Sequence, residues 1–385
     1  MTTKLFALAG AAGLLLSLAG LTPAHNEEKR PGQKVERSMA VDPHATITLC
    51  VASGALTVRG WDKNEVRVRS NDVDQLEFRR IDKPKAPATP ASRIDVILID
   101  KTVRANPQID CQAIGDVDMD VPSGATVQAQ TRDGDIEISG VAAAYAGSQN
   151  GDIRIERATK LVEAGSVGGS ISLTNSSGRV NLSSAGGGVE VTNVRSSSPD
   201  DTLEVGTVSG DVQLEGITTP KVWAKTVSGT LTMSGALVKS GYYSFTNVTG
   251  ETVLQLPADA SFRLNAKVSD KQDLTSEFEL KYLNVAPPPP AHTVYPATPK
   301  PRKEEQLSPE EKEALKETEK EKEKPAKPAP PAKAPTKGGP VVGPIIVERP
   351  VIVAPFVRRI EAICGSGDAV IAVASFGGPV RLKKL

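Results

Sequence analysis

Large rings are scarce in this 385-residue sequence: two Trp, five Tyr and seven Phe make up 4% of it. So few bulky side chains argue against a wide globular core, which aromatics usually help to fill. Histidine is scarcer still, at His25, His44 and His292 only. None falls between 116 and 256, where the sequence is most regular. That stretch therefore holds neither a Ser-His-Asp triad nor a His-rich metal site. Excess charge of either sign is also missing, with 46 basic residues against 46 acidic ones. A chain without a basic footprint gives no whole-chain case for nucleic-acid binding. Cysteine is limited to Cys50, Cys111 and Cys364. An odd set allows at most one internal disulfide, and spacing does not choose the pair. Glycine (33) and proline (29) are plentiful, as in β architectures built from many turns.

The first two dozen residues have the layout of a secretory signal peptide. Lys4 gives a positive start, Leu5 to Leu21 is apolar or small, and Thr22-Pro23-Ala24 offers a small-residue cleavage site. The apolar run is short and broken by glycine for a membrane span, which needs ~20 residues. Residues 1–24 are thus expected to be removed and the protein exported, to the periplasm or the cell surface. An oxidising compartment would permit a disulfide.

An internal repeat dominates what remains. Its core is Gly, a small or acidic residue, then two β-formers around a polar one. Copies are Gly134-Asp135-Ile136-Glu137-Ile138, Gly151-Asp152-Ile153-Arg154-Ile155, Gly169-Ser170-Ile171-Ser172-Leu173, Gly210-Asp211-Val212-Gln213-Leu214 and Gly229-Thr230-Leu231-Thr232-Met233. Gly188-Val189-Glu190-Val191 reads as a copy that has lost its second residue. Outlying copies begin at Gly54 and Gly367. The central glycines lie 17, 18, 19, 22 and 19 residues apart, a period of stacked units that cannot bury an apolar face alone. Alternation of apolar and polar residues marks half-buried strands. A second strand-like run sits between motifs, at Ala142–Ser148, Lys160–Gly165, Lys221–Thr226 and Gly241–Asn247. The fold class is therefore all-β: a β-solenoid of stacked two-strand rungs with a period of about 20. The motif glycines Gly134, Gly151, Gly169, Gly210 and Gly229 are expected to make turns at positive φ. The following Asp would accept hydrogen bonds from amides of its own turn.

Three Pro-centred turns punctuate the chain, at Val41–Thr46, Val121–Thr126 and Leu256–Ser261, since proline cannot donate to a strand ladder. They suggest an N-terminal β cap over 35–115 and a solenoid body over 116–283. Lys83–Ala91 reads as a surface loop. From 284 to 358 the composition turns to Pro, Lys and Glu, too polar to offset the entropy of ordering, and is expected to be disordered. Ser308-Pro309-Glu310-Glu311 could cap a short helix through Lys324, and Val341–Val357 could lie along an edge. Residues 359–385 return to strand grammar, so the low-complexity part is an insert and the last strands complete the solenoid.

Chemistry is sparse. Asp133, Asp135, Asp152 and Asp211 could line one edge, and paired carboxylates cut polysaccharides. A stacked Asp ladder could also hold calcium, but these acids follow the repeat, which favours a turn role. No catalytic, cofactor-binding or metal-ligating residue is assigned, and no cofactor is implied. Tyr243 and Phe245 should face the core, Tyr242 outward with Trp223 on a neighbouring second strand. Trp61 should cover the end of the N-terminal cap, and Arg79-Arg80 and Lys383-Lys384 should be solvated strand ends.

The Gly-Asp-[Ile/Val]-x-[Ile/Leu] rungs, the Val-Pro-Ser-Gly-Ala and Leu-Pro-Ala-Asp-Ala-Ser turns and the closing Gly-Gly-Pro-Val-Arg-Leu share an order with a known group. With Val58-Arg59-Gly60-Trp61-Asp62 and Val66-Arg67-Val68, they resemble the bacterial putative-adhesin family of β-strand-repeat proteins. That resemblance implies a β-solenoid in an exported or membrane-attached protein, in a domain of unknown function with no functional residues to transfer. The combined expectation is a non-enzymatic β-solenoid of the cell envelope that presents an interaction surface to glycan or protein. A polysaccharide-active β-helix enzyme, or a periplasmic scaffold docking a partner through the Pro-rich insert, are the alternatives.

Overall fold

The computed structural model describes residues 34–71, 73, 75–83, 89–99, 111, 113–269, 273–283 and 358–385. The expected signal peptide, the insert up to residue 357, its helix at 308–324 and the run 341–357 lie outside the described residues.

The chain begins with β1 (Val35–Ser53), β2 (Leu56–Trp61), β3 (Glu65–Ser70), β4 (Gln75–Arg80), β5 (Ala91–Ile99) and β6 (Val117–Pro122). It then alternates a longer strand with a shorter one. These pairs are β7 (Thr126–Asp133) with β8 (Ile136–Ser139), β9 (Ala143–Ser148) with β10 (Ile153–Glu156), and β11 (Leu161–Ser166) with β12 (Ile171–Thr174). Next come β13 (Arg179–Ser184) with β14 (Val189–Thr192), β15 (Leu203–Ser209) with β16 (Val212–Glu215), β17 (Lys221–Ser228) with β18 (Leu231–Ser234), and β19 (Tyr242–Thr249) with β20 (Thr252–Leu256). The remaining strands are β21 (Phe262–Val268), β22 (Leu274–Ser276), β23 (Lys281–Tyr282), β24 (Arg358–Cys364), β25 (Ala369–Ser375) and β26 (Val380–Lys384). Each pair is one rung. The longer strands pair in parallel with the longer strands of adjacent rungs, and the shorter with the shorter. Two sheets result, joined by the turns of every rung, and together they form the β-solenoid that the repeat predicts.

Alternation decides what goes inside. In the short-strand sheet, Ile136, Ile153, Ile171, Val189, Val212 and Leu231 form one buried file, and Ile138, Ile155, Leu173, Val191, Leu214 and Met233 another. Val162, Val180, Val222 and Tyr243 answer them from the long-strand sheet. Most of these side chains are aliphatic, so the two sheets close on each other without large rings. Tyr243 and Phe245 are the widest occupants, both buried as expected. The Tyr243 hydroxyl accepts the Val238 amide at 2.7 Å, and burial pushes its pKa up.

Neither outermost parallel rung is the first or the last in sequence. The rung made by the second half of β1 and by β2 lies between the β5–β6 rung and the β7–β8 rung. Residues 35–115 therefore supply a full internal rung as well as a cap. At the other end, β25 lies between β19 and β21, and β26 between β20 and β22. The last strands in sequence fill the penultimate rung in space. Beyond both outer rungs the pairing turns antiparallel: β3 on β6, β4 on β5, β24 on β21 and β23 on β24. Such strands cover the edges that a parallel stack would leave open to another chain.

Two of the expected turns are present, after Pro122 and after Leu256. The third is not: Val41–Thr46 stays within β1, with a register shift between Val41 and Thr46 where β1 passes from one sheet to the other. Glycine also plays a different part from the one expected. Of the five motif glycines only Gly229 has positive φ (147°). What requires glycine is close approach. A Cβ on Gly134 would lie 2.1 Å from the Gly54 carbonyl oxygen, on Gly151 1.9 Å from that of Gly134, on Gly169 2.1 Å from that of Gly151, and on Gly229 2.1 Å from that of Gly210. The column continues through Gly187, whose Cβ would meet the Gly169 oxygen at 2.3 Å. Gly187 and not Gly188 is thus the motif residue, and Gly188 fills the Asp position. Gly115, Gly250 and Gly378 belong to the same column, whereas Gly367 opens the long strand β25.

The left-handed turn residue comes after the short strand instead, at Gly140, Arg157, Asn175, Asn193, Gly216 and Gly235, with φ of 69°, 55°, 50°, 56°, 63° and 136°. Asn adopts this region readily, whereas Arg157 holds it at a steric cost. Arg157→Gly should therefore raise stability by about 1 kcal/mol. Gly169→Ala should cost about 3 kcal/mol, the upper end for overpacked sites. Urea unfolding of the two variants, with opposite shifts in midpoint, checks both.

Candidate functional site

Each Asp after a motif glycine reaches into the next rung and not into its own turn. Asp135 Oδ1 accepts the Asp152 amide at 2.9 Å, Asp152 Oδ1 the Ser170 amide at 2.7 Å, and Asp211 Oδ1 the Thr230 amide at 2.6 Å. Asp116 Oδ1 accepts the Ala55 amide at 2.8 Å in the same way. Gly115-Asp116-Val117 is a full copy of the motif that the sequence reading passed over, although the same pattern would have found it. Asp133 is held below the usual carboxylate range by Arg132 and then by Asn150, whose Nδ2 donates at 2.7 Å. Around Gly188 a shallow hollow of about 320 Å³ opens beside Asp152, Arg154, Glu190 and Asp211. Its two aspartates are the ones already tied to rung amides. Among the described residues no group of His, Cys, Asp or Glu could hold a metal ion.

A hydroxyl file runs alongside the glycines, inside the turn that joins the long strand to the short one. Ser148 Oγ donates to the Gly134 carbonyl at 3.2 Å, Ser166 to Gly151 at 3.0 Å, Ser184 to Gly169 at 2.8 Å, Thr207 to Gly187 at 2.8 Å and Thr226 to Gly210 at 3.0 Å. Asn247 Nδ2 does the same for Gly229 at 3.0 Å. Ser166 and Ser184 also accept the amides of Gly169 and Gly187, both at 2.9 Å. These buried polar groups satisfy carbonyls that the turn would otherwise strand.

The other singled-out residues are dispersed. Cys50 and Cys111 form a disulfide with Cα atoms 5.0 Å apart, and Cys364 is a buried free thiol whose pKa burial raises. Trp61 sits in β2, inside the stack and not at its end, with Lys63 4.9 Å and Arg67 4.7 Å from its ring centre. Arg67 and Arg69 share Asp120 Oδ2, at 2.8 and 3.0 Å. Arg79 and Arg80 are not free strand ends, since they pair with Asp95 and Asp82, each at 2.8 Å. The Arg80 guanidinium pulls the Asp82 carboxyl far below its ordinary range. His44 Nδ1 lies 3.3 Å from the Gly124 carbonyl oxygen.

The exposed aromatic pair stands on the outer face of the long-strand sheet. Trp223 on β17 and Tyr242 on β19 stand out from it, 36% and 40% exposed, with ring centres 6.1 Å apart and planes at 50°. Toward the N-terminal rungs the adjoining row is Glu204, Asn181, Glu163 and Tyr145 in register. The next row along the strands is Gly206, Ser183, Gly165 and Gly147. These glycines differ from those of the stack. A Cβ on Gly147, Gly165 or Gly206 would meet nothing closer than 3.8, 3.5 and 4.0 Å, and none has positive φ. Val167, Ala185 and Val208, two residues further on, form the far side. The face is thus a shallow trough with a glycine floor that ends on Lys225, one apolar wall, and one polar wall that Trp223 continues, with Tyr242 beside it.

Residues 141–281 match the Toastrack DUF4097 family. The resemblance drawn from the Gly-Asp rungs agrees with that match, which takes in the stack from the turn before β9 to β23. The rungs before residue 141 and after 358 continue the matched stack by the same pairing rules. No curated protein matches the chain. Three solved crystal structures are similar to it. A putative adhesin from Parabacteroides merdae is 9% identical, with a TM-score of 0.37 over 59% of this chain and 90% of that one. A putative cell adhesion protein from Clostridium sporogenes is 9% identical, with a TM-score of 0.19 over 92% and 100%. A putative adhesin from Parabacteroides distasonis is 11% identical, with a TM-score of 0.29 over 59% and 91%.

Ser166→Ala removes both a donor to Gly151 and an acceptor for Gly169 and should cost about 1–3 kcal/mol. Reducing the Cys50–Cys111 bridge, which closes a loop of 61 residues, should cost about 2–4 kcal/mol. Thermal unfolding with and without reductant, on the native chain and on Ser166→Ala, checks the pair.

Proposed function

We propose that the protein is an exported, non-enzymatic β-solenoid of the cell envelope, acting as an adhesion or interaction surface for glycan or protein. One observation carries this reading. The repeat's carboxylates are spent on rung-to-rung hydrogen bonds, while the long-strand sheet keeps a continuous outer face with an exposed aromatic pair. The Cys50–Cys111 bridge supports export, since disulfides persist in oxidising compartments. Protease shaving of intact cells, followed with an antibody against the solenoid, tests location. Cleavage before the envelope is opened is the expected result. Protection until it is opened would place the protein in the periplasm and end the adhesion reading.

A periplasmic scaffold is the second reading, favoured by how the insert is attached. The Leu283 amide donates to the Glu361 carbonyl at 2.9 Å, and Lys281 pairs with Ile363. The segment therefore leaves and rejoins the stack at neighbouring strands. Deleting 287–340 should leave stability within about 0.5 kcal/mol, because loop-closure entropy changes slowly with length. Loss of a co-purifying partner from that variant, with unchanged unfolding, would favour the scaffold.

A further inference from the structure

The geometry points to the trough on the long-strand sheet as a binding site for a neutral, linear glycan of pyranose units, anchored on Trp223 and Tyr242. The inference rests on the envelope-surface reading above and supplies its ligand class.

The aromatic pair is the starting observation. In a chain with 4% aromatics, two rings on adjacent rungs stay outward and lean on each other while Tyr243 and Phe245 of the same rung are buried. Exposed rings cost solvation unless something covers them, and their faces suit the C–H-rich face of a sugar ring. The floor is the second observation. Glycine within a strand weakens it relative to Ala, because it has more backbone freedom to lose and no side chain to pack. At Gly151 or Gly169 the stack repays that cost, because a side chain would strike a carbonyl oxygen. At Gly147, Gly165 and Gly206 it does not, for the space above each is open. A strand glycine without a local reason marks a place where another molecule approaches the backbone. With Ser183, these positions flatten four neighbouring strands, a floor of about 14 Å at ~4.8 Å per strand.

The walls select the occupant. Glu163 and Glu204 alternate across the face with Arg179, Lys221 and Lys225, and Asp200 Oδ1 lies 3.6 Å from the Lys221 Nζ, so three charges of each sign balance locally. A polyanion would meet the two glutamates and a polycation the three bases. A hydroxyl-rich neutral polymer can donate to the glutamates and accept from the bases and from Asn181. The apolar side, Val167, Ala185 and Val208, suits the ring edges. The trough crosses the strands, so an extended chain lies along the stack and meets an equivalent rung at every step.

The test uses the purified full-length mature chain with cellohexaose, chitohexaose and mannohexaose, and with a galacturonic-acid hexamer as the charged comparison. Calorimetry and Trp fluorescence read binding. At least one neutral hexamer should bind and perturb the fluorescence. Trp223→Ala should weaken it tenfold or more, and so should Gly165→Val with Gly206→Val, which fills the floor. The double Gly→Val variant should unfold at the same urea concentration or a higher one. Absence of binding by all three neutral hexamers would overturn the inference, as would binding that survives both variants. So would preference for the charged hexamer, or a collapse of stability in the Gly→Val variant, which would make those glycines structural. Shaving separates this from the parent reading: a surface-exposed protein that ignores every glycan keeps the adhesion reading and loses the trough.

Discussion

Successive rungs approach each other at the motif glycines so closely that a Cβ would fall 1.9–2.4 Å from the neighbouring carbonyl oxygen. That contact governs the rest of the stack. It fixes which residue of each rung faces which in the next, and a slip of one residue would drive a side chain into backbone as well as turn the apolar file outward. The hydroxyls of Ser148, Ser166, Ser184, Thr207 and Thr226 are placed by it, because each glycine carbonyl needs a donor from the following rung. The aspartates at the outer corner repeat the arrangement with amides. Each of these rungs is locked to its neighbour by a steric stop and a hydroxyl or amide contact, and those with Asp116, Asp135, Asp152 or Asp211 add a second polar contact.

A stack assembled this way needs no wide core. Two inward side chains per short strand and two or three per long strand are enough, and small aliphatic residues fill them. Each rung touches only its neighbours, so stability adds along the stack and is exposed at its ends. The chain answers by threading its first and last rungs inside the stack and laying antiparallel strands over both outer faces. The disulfide from Cys50 ties the threaded first rung to the segment that leads into β6.

The same residue type serves two opposite purposes in one rung. Gly151 and Gly169 exist because nothing larger fits; Gly165, between them in sequence, sits where anything would fit. The distinction separates structural glycine from glycine that leaves room for a partner. It gives the long-strand face its flat floor, while the carboxylates that might have suggested catalysis are absorbed by the stack.

Period, alternation and turn residues determined that this chain is a β-solenoid of two-strand rungs, because each rung repeats its own apolar pattern at a near-constant spacing. Burial of Tyr243 and Phe245 with Tyr242 outward followed from alternation alone. The role of the motif glycine did not, since a close contact between residues 17 or 18 positions apart cannot be told from a local turn by composition. For the same reason Asp135 and Asp152 were placed in their own turns, when their partners lie one rung on. The motif at Gly115 and the true alignment of Gly187 were legible in the sequence but masked by irregular spacing around the threaded rungs. Only the tertiary structure decided that the first and last rungs lie inside the stack, that Cys50 pairs with Cys111, and that Gly147, Gly165 and Gly206 align into a trough beside Trp223. Those depend on which strands become neighbours, and pairing across 61 or more residues is set by the whole stack and not by any local pattern.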